Sequence, residues 1–437
     1  MIVVCDPVIK GISHEKINSG FIYGLRLAYP DEKILFYADE FHITEIKNIF
    51  ISYNVVIDNI DYFPIRIYNQ YSVSGMIGYS RLFIKIFNNM LSDNVDKIFF
   101  LCFDSVLFYI IKQLKRLGKY KNIKCTSVLH GSFEQIRFTQ YTEIPILQPA
   151  PAKSINQNVS QKIRSVNYME LPSKILKVLK SRINKWINVF IITKYQLMFL
   201  KIFHVPKILM YRHSNHFKYI ALSPHILNNA RNYLNIEFLN IYAITMPMIF
   251  IRQNVNIHNQ YIKFAIFGYG DSYSLSQISV KLSEKKIGNQ YEIRIIGMDA
   301  RGTNDNPNIW CVSPGRVLNR SEMEKFVDDI DIFLILYKKD RYQLGCSASI
   351  LEAISYIKPI LHFDNDCINY FNKPDSPIGF QCESLEAYVD KMVELINNYP
   401  EYLTCLELFR KNIITLRNKV AINNNLDQLR ESFSFVD

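Results

Sequence analysis

Short apolar runs alternate with amphipathic stretches along most of the chain. In the first half the runs predict strands at residues 2–5, 33–37, 54–60, 97–103 and 124–129. Helical periodicity lies between them, at residues 21–29, 44–51, 76–91 and 106–117. Continuous apolar strands separated by helices are typical of a parallel sheet covered on both faces. The first half therefore predicts a doubly wound α/β domain.

The second half repeats this alternation. Strands are predicted at residues 261–267, 291–296, 309–312, 330–337 and 359–363, and helices at 274–285, 321–328, 347–355, 385–396 and from residue 400 onward. A chain of 437 residues is also long for a single core. We therefore expect two Rossmann-like parallel-sheet domains facing a cleft, 1–245 and 246–437. The last helix is a candidate for crossing back to the first domain.

Composition places the protein among globular proteins of a reducing compartment. It is 49% hydrophobic and 21% charged, and its eight cysteines are scattered without a CxxC pair. The chain opens with an apolar strand, Met1-Ile-Val-Val-Cys5, instead of a signal peptide, and it has no apolar run of about 18 residues. These features predict a cytoplasmic protein.

The net charge of +11 is concentrated in one segment. Between Ala150 and His213 there are twelve Lys and Arg residues and a single acid, Glu170. An insert near 153–212 has a helical apolar stripe bordered by basic residues and including a tryptophan: Lys174, Lys177, Lys180, Arg182, Lys185 and Trp186. A basic amphipathic helix of this kind suits an anionic membrane surface. The alternative is a helix that packs on its own domain with a solvated basic face. No nucleic-acid-binding motif accompanies the basic segment, so we expect no nucleic-acid partner.

Small residues open the helix that follows the strand at 330–337. In Gly345-Cys-Ser347-Ala348-Ser349, backbone N–H groups at the helix start and two hydroxyls could bind phosphate. Glu352, one turn further on, could accept hydrogen bonds from ribose hydroxyls. The alternative is an ordinary βαβ unit whose helix needs small residues to pack against the sheet.

The same stretch resembles a known signature. Ser347-x-Ser-Ile-Leu-Glu352-Ala-x-Ser-x-x-Lys-Pro359-Ile is similar to the donor site of GT-B glycosyltransferases, particularly those that build bacterial surface polysaccharides. The likeness extends through the second half, and it includes Leu129-His130-Gly131 in the first.

The resemblance implies a role for each matching residue. Glu352 would hold the donor ribose, and Ser347, Ala348 and Ser349 would bind the diphosphate, with Tyr337 in the same pocket. Gly268 and Gly270 would let the backbone approach the donor, and Gly315 and Arg316 would hold the nucleobase. Gly20 would bring a loop of the first domain near the diphosphate, and His130 would face the sugar.

Two departures leave the stereochemistry open. Many retaining members have an acid eight positions before the signature Glu, where this chain has Leu344, and residues 268–274 contain no Lys or Arg to neutralise the leaving diphosphate. The available cations are Arg316, Lys338, Lys339 and Arg341. An inverting enzyme needs a base. The candidates are His130, then His14, with Asp104, Asp6, Glu15 and Glu134 also possible in the first half.

Asp364-Asn-Asp366 matches the metal-binding DxD pattern of another glycosyltransferase fold. In a doubly wound domain we expect a polar loop near the donor sugar instead, and no metal or other cofactor.

Together these features predict a glycosyltransferase at the inner face of the plasma membrane. It would move a sugar from a nucleotide-sugar donor to a hydroxyl of a lipid-linked oligosaccharide in O-antigen or capsule synthesis. The alternatives are a sugar-nucleotide epimerase of GT-B architecture and a non-catalytic GT-B-like binding protein. An NAD-dependent oxidoreductase is disfavoured because no GxGxxG follows a strand with an acid about 20 residues later.

Overall fold

The computed structural model describes residues 1–70, 72–130, 216–234, 240–250, 259–267, 272–297, 306–313, 318 and 320–434. Strands in these residues form two separate sheets, one of seven strands and one of six. Neighbouring strands within each sheet pair in parallel. The prediction of two doubly wound, Rossmann-like α/β domains is confirmed.

The first sheet has the strand order β3-β2-β1-β4-β5-β6-β7. Its strands are β1 Ile2–Cys5, β2 Ile34–Ala38, β3 Ile60–Pro64, β4 Lys97–Phe100, β5 Lys124–Val128, β6 Phe217–Ala221 and β7 Ile241–Ala243. The helices that accompany it are α1 Glu15–Ala28, α2 Glu40–Ser52, α3 Val73–Ser92, α4 Ser105–Arg116 and α5 Pro224–Leu234. All four residues of β1 are buried, because this strand has a neighbour on each side and helices on both faces.

The second sheet has the order β10-β9-β8-β11-β12-β13. Its strands are β8 Ile262–Phe267, β9 Tyr291–Ile296, β10 Ile309–Cys311, β11 Ile332–Ile335, β12 Ile360–Phe363 and β13 Gly379–Cys382. The helices of this half are α6 Ser272–Glu284, α7 Arg320–Val327, α8 Ala348–Ser355, α9 Asp366–Asn369, α10 Leu385–Asn397, α11 Tyr399–Val420 and α12 Leu426–Phe433.

Two expectations for the first domain are wrong in detail. The strand expected at residues 54–60 begins only at Ile60, because Asn54 and Asn59 both have positive φ angles, which interrupt an extended chain. The loop expected before Phe21 is helical, since α1 begins at Glu15. Tertiary packing of this turn overrides the weak helix propensity of its asparagine, serine and glycine.

The last helix, α12, packs against the first domain. The Phe433 ring lies 5.8 Å from the ring of Phe99 in β4, and Thr126 Oγ1 in β5 donates a hydrogen bond of 3.0 Å to Ser432 O. Helix α12 therefore packs on the sheet of the first domain although it follows the second domain in sequence.

Each sheet has one point where its strand order reverses, between β1 and β4 in the first and between β8 and β11 in the second. Ligands of doubly wound sheets bind beyond the carboxyl ends of the strands at such points. The loops that follow these four strands therefore define where a site is expected.

Candidate active site

The start of α8 follows β11 at the reversal point of the second sheet. Ser347 caps the helix: its Oγ accepts the Ser349 N–H at 3.2 Å and donates to the Tyr337 hydroxyl at 3.1 Å. The Tyr337 hydroxyl donates to Ser349 Oγ at 2.9 Å, and Ser349 Oγ donates to Phe267 O at the end of β8 at 3.1 Å. These bonds hold the helix start against the end of β8.

The predicted phosphate ligands differ in whether they are already hydrogen-bonded within the protein. The two serine hydroxyls are engaged within the protein, and Ser347 is buried. Ala348 is exposed at the first position of the helix. The first N–H groups of a helix have no partner within the helix, and the helix dipole is positive there. The backbone near Ala348 is therefore the part of this site best suited to an anion.

Glu352 lies one turn further along α8 and is 7% exposed. Its Oε2 accepts a hydrogen bond from Lys16 Nζ, on α1 of the first domain. The predicted ribose ligand is thus in contact with the opposite domain. Nothing in the sequence pattern singled out Lys16, because 336 positions separate the two residues.

The two candidate histidines of the first domain lie together. The ring centroids of His14 and His130 are 4.5 Å apart. His130 Nε2 donates to Leu101 O at 2.7 Å, and burial lowers the pKa of His130 to about 3. Burial also lowers the pKa of His14, against the opposing effect of the Asp6 carboxylate. Both rings are therefore neutral at neutral pH.

His14 has an unusual backbone. It precedes α1 with a φ of 59°, in the left-handed region that only a few per cent of non-glycine residues adopt. Strain of this kind persists only where the surroundings impose it, and it is often found at functional sites.

A buried polar network that the sequence did not reveal holds the loop before His14. Asp6 accepts the N–H groups of Val8 and Ile9 at 3.0 and 2.9 Å, and it accepts Asn18 Nδ2 at 2.5 Å. Asn18 Nδ2 also donates to His42 Nε2 at 2.8 Å. Asp6 is completely buried, and its contacts indicate that it positions the loop.

Asp104 also has a structural contact. Its Oδ1 accepts the Leu107 N–H at 2.9 Å and caps α4. An N-cap carboxylate stabilises the start of its helix. No contact tests its predicted catalytic role, which stays a prediction.

Gly20 lies inside α1 and not in a loop. A Cβ atom added there would come within 2.3 Å of Pro247 O in the chain that links the two domains. The absent side chain lets α1 approach this linker closely. Its predicted approach to the donor diphosphate is untested.

The Asp364-Asn-Asp366 segment contacts residues of both domains. Asp364 Oδ2 accepts Lys339 Nζ at 2.8 Å, whereas Asp366 Oδ2 accepts Asn229 Nδ2 from α5 at 2.9 Å. The two carboxylates thus have different partners. Within the described residues, no group of three or more His, Cys, Asp or Glu side chains is arranged to bind a metal ion.

Helix α5 contributes two further residues that the sequence interpretation missed. His225 Nε2 donates to Gly345 O at 2.9 Å and to Tyr342 O at 3.1 Å, and Asn229 Nδ2 donates to Gln343 O at 2.9 Å. The first domain therefore holds the loop that leads into α8. These contacts join distant parts of the chain, so no local pattern marks them.

Several predicted residues lie outside the described part of the chain: Gly268, Gly270, Gly315, Arg316 and the basic residues Lys174, Lys177, Lys180, Arg182 and Lys185 with Trp186. Among the residues that are described, no helix has both the length and the apolar character needed to cross a bilayer.

Neither the protein-family models nor the curated protein sequences match the chain. Solved structures do. A glycosyltransferase from Rickettsia africae ESF-5 aligns with a TM-score of 0.56 at 12% identity, covering 99% of this chain and 97% of that chain. Anabaena HepE in complex with UDP and glucose gives 0.57 at 8% identity, covering 100% and 99%.

A variant of S. aureus TarM in complex with Fondaparinux, alpha-GlcNAc-glycerol and UDP gives a TM-score of 0.58 at 9% identity, covering 99% of each chain. These similarities extend over both domains. The chain therefore has the two-domain GT-B architecture of these glycosyltransferases, and at such low identity the likeness establishes the fold alone.

Proposed function

We propose that the protein is a glycosyltransferase that takes a sugar from a nucleoside-diphosphate sugar. The observation that carries this proposal is the exposed start of α8, with Glu352 one turn further on and in contact with the first domain. A diphosphate on the N–H groups near Ala348 would place its ribose near Glu352. UDP in two of the similar structures supports a uridine nucleotide as the first donor to test.

The reaction is a displacement at the sugar C1 atom. The bond from C1 to the diphosphate oxygen breaks, and its electron pair stays on the diphosphate. The acceptor oxygen bonds to C1, and the acceptor hydroxyl loses its proton to a base. The neutral pair His14 and His130 lies beyond the first sheet and is our candidate for that base.

We propose a lipid-linked glycan of O-antigen or capsule synthesis as the acceptor, with the protein at the inner face of the plasma membrane. The basic residues between 153 and 212 support this assignment by their charge. We expect the protein to bind anionic vesicles. We expect this binding to be lost when Lys177, Lys180 and Lys185 are changed to Glu. Binding that is unchanged in the triple variant would exclude this membrane contact.

The donor assignment predicts the effect of Glu352→Ala. Removing the carboxylate removes the hydrogen bonds to ribose, so we expect donor affinity to fall by about tenfold or more. Calorimetric titration with UDP and UDP-sugars measures it, after a thermal-shift panel has identified the nucleotide.

Glu386→Ala is the matched control, because Glu386 pairs with Lys281 and Lys285 on the exposed face of α10. Unaltered donor affinity in Glu352→Ala would remove the ribose assignment. Nucleotide released with transfer to an acceptor supports the transferase, whereas an epimerised sugar nucleotide indicates the epimerase.

A further inference from the structure

A buried ion pair joins the two domains at the candidate donor site. The side chains of Lys16 and Glu352 are only 8% and 10% exposed. Taking two charges out of water is costly, and an apolar pair of similar volume often stabilises a protein equally well. Stability alone therefore gives no reason for an ion pair here.

The ammonium group of Lys16 also lies near two aromatic rings. It is 5.3 Å from the centroid of Tyr356, which follows α8, and 5.9 Å from that of Tyr53, which follows α2. The rings attract a cation without neutralising its charge. Glu352 is thus the acidic partner among these contacts, and the pair is built from both domains.

The position of this pair along α8 connects it to the diphosphate. One helical turn rises about 5.4 Å, so the backbone of Glu352, whose carboxylate holds the ammonium, lies roughly that far along the helix axis from the backbone near Ala348. The flexible four-carbon side chain of lysine can turn its ammonium toward the helix start. A diphosphate at the helix start would attract the ammonium strongly.

Three described cations near the donor loop of the second domain already have contacts of their own. Lys339 is 72% exposed and pairs with Asp364, and the Arg341 guanidinium lies 5.6 Å from the ring of Tyr337. Lys338 lies 5.5 Å from the ring of Tyr273. The departing diphosphate nevertheless needs positive charge. Lys16 is a buried cation at the cleft and comes from the opposite domain.

We propose that Lys16 is a donor-site residue that neutralises the leaving diphosphate. This inference rests on the proposed function. Donor binding exchanges the ion pair: ribose hydroxyls replace the ammonium on Glu352, and the ammonium moves to the diphosphate oxygens. There it stabilises the charge that remains when the bond from C1 to oxygen breaks.

The test compares nucleotides with and without the diphosphate. Lys16→Met should weaken binding of UDP by about tenfold or more but change binding of uridine much less, because only UDP has the group that Lys16 contacts. Lys16→Arg keeps the charge and should recover most of the UDP affinity. Lys33→Met is the matched control. It removes an exposed lysine that pairs with Asp61 at the amino-terminal ends of β2 and β3, away from the candidate site.

The charge-swapped double variant Lys16→Glu with Glu352→Lys separates this role from a structural one. We expect the swap to restore the melting temperature lost in Lys16→Met but to bind UDP more weakly than Glu352→Ala, which lacks the same ribose ligand but keeps Lys16, because the swap presents a carboxylate to the diphosphate. Recovery of UDP affinity with stability would overturn the proposal, as would a Lys16→Met variant that binds UDP like the wild type.

The same titrations distinguish this inference from the proposed function. Wild-type protein that binds none of UDP, ADP, GDP, CDP or their sugars overturns both. Wild-type protein that binds UDP with no difference in Lys16→Met overturns the role of Lys16 alone.

Discussion

At the scale of single residues, His14 and His130, whose rings lie side by side, differ in how well each could act as a general base. A general base works best when its pKa is near the working pH. Burial lowers the pKa of His130 to about 3, and its Nε2–H is committed to Leu101 O. The pKa of His14 is lowered as well, but the Asp6 carboxylate opposes that shift. We therefore infer that His14 accepts the proton and that His130 positions its ring.

This assignment predicts the pH dependence of transfer. Only neutral His14 can accept a proton, so kcat/KM should rise with pH through a pKa below 6.5 and then level off. His14→Asn should lower kcat by about 100-fold or more and remove this acid limb. Both expectations are tested by measuring kcat and kcat/KM as a function of pH for the wild type and for His14→Asn. His362→Asn, at a buried histidine of the second domain, is the control. An acid limb that persists in His14→Asn would exclude His14 as the base.

The free energy of unfolding should depend on pH through the buried Lys358. This lysine is 2% exposed, its Nζ donates to Asp328 O at 2.7 Å, and burial lowers its pKa to about 7. The unfolded chain keeps a lysine pKa near 10.4, so it binds more protons than the folded state between these values. The free energy of unfolding should therefore rise from pH 7 to 9, by at most about 1.4 kcal/mol per pH unit from this group.

Lys358→Met should flatten that slope. Urea unfolding at pH 7, 8 and 9 measures it, and Lys263→Met is the control because Lys263 pairs with the neighbouring Asp329 and is less buried. Equal slopes in the wild type and in Lys358→Met would show that the lysine is charged in the fold. The histidines whose pKa burial lowers, among them His14, His130 and His362, do not contribute in this range, since a lowered histidine pKa affects stability only below about pH 6.5.

At the scale of elements, the sequence predicted those helices and strands that are determined by their own residues, and it failed where contacts with other parts of the chain decide the structure. Strands such as β1 and β11 are continuous apolar runs whose burial is visible in the residues themselves. The helix bearing Glu352 was predictable because Ser347 caps it and small residues precede it. The strand expected at 54–60 was misplaced because the left-handed angles of Asn54 and Asn59 depend on the turn they occupy.

The onset of α1 shows what a local pattern omits. Asn18 and Gly20 have poor helix propensity, so a loop was expected. In the fold, Asn18 contacts Asp6 and His42, and Gly20 packs against Pro247. These contacts come from other elements and outweigh propensity. Lys16 was missed for the same reason, because only the helix brings it to Glu352.

At the scale of the whole molecule, the domains meet through several contacts that converge on the candidate site. Helix α5 holds the loop before α8 through His225 and Asn229, and α1 contacts α8 through Lys16. A close backbone approach also occurs at Gly20, beside Pro247 of the linker. Closure of a cleft depends on such contacts, because it excludes water and completes the site.

Gly20→Ala tests whether this approach sets the spacing of the domains. The added Cβ would lie 2.3 Å from Pro247 O, a backbone atom, so α1 and the linker must separate. Overpacking of this kind costs about 1–3 kcal/mol, and the separation should move Lys16 away from Glu352. We expect a lower melting temperature and an increased KM for the donor. Gly24→Ala is the control in the same helix, because its Cβ would meet the movable Ile422 side chain. If both variants bind donor equally well, the spacing at Gly20 does not control the site.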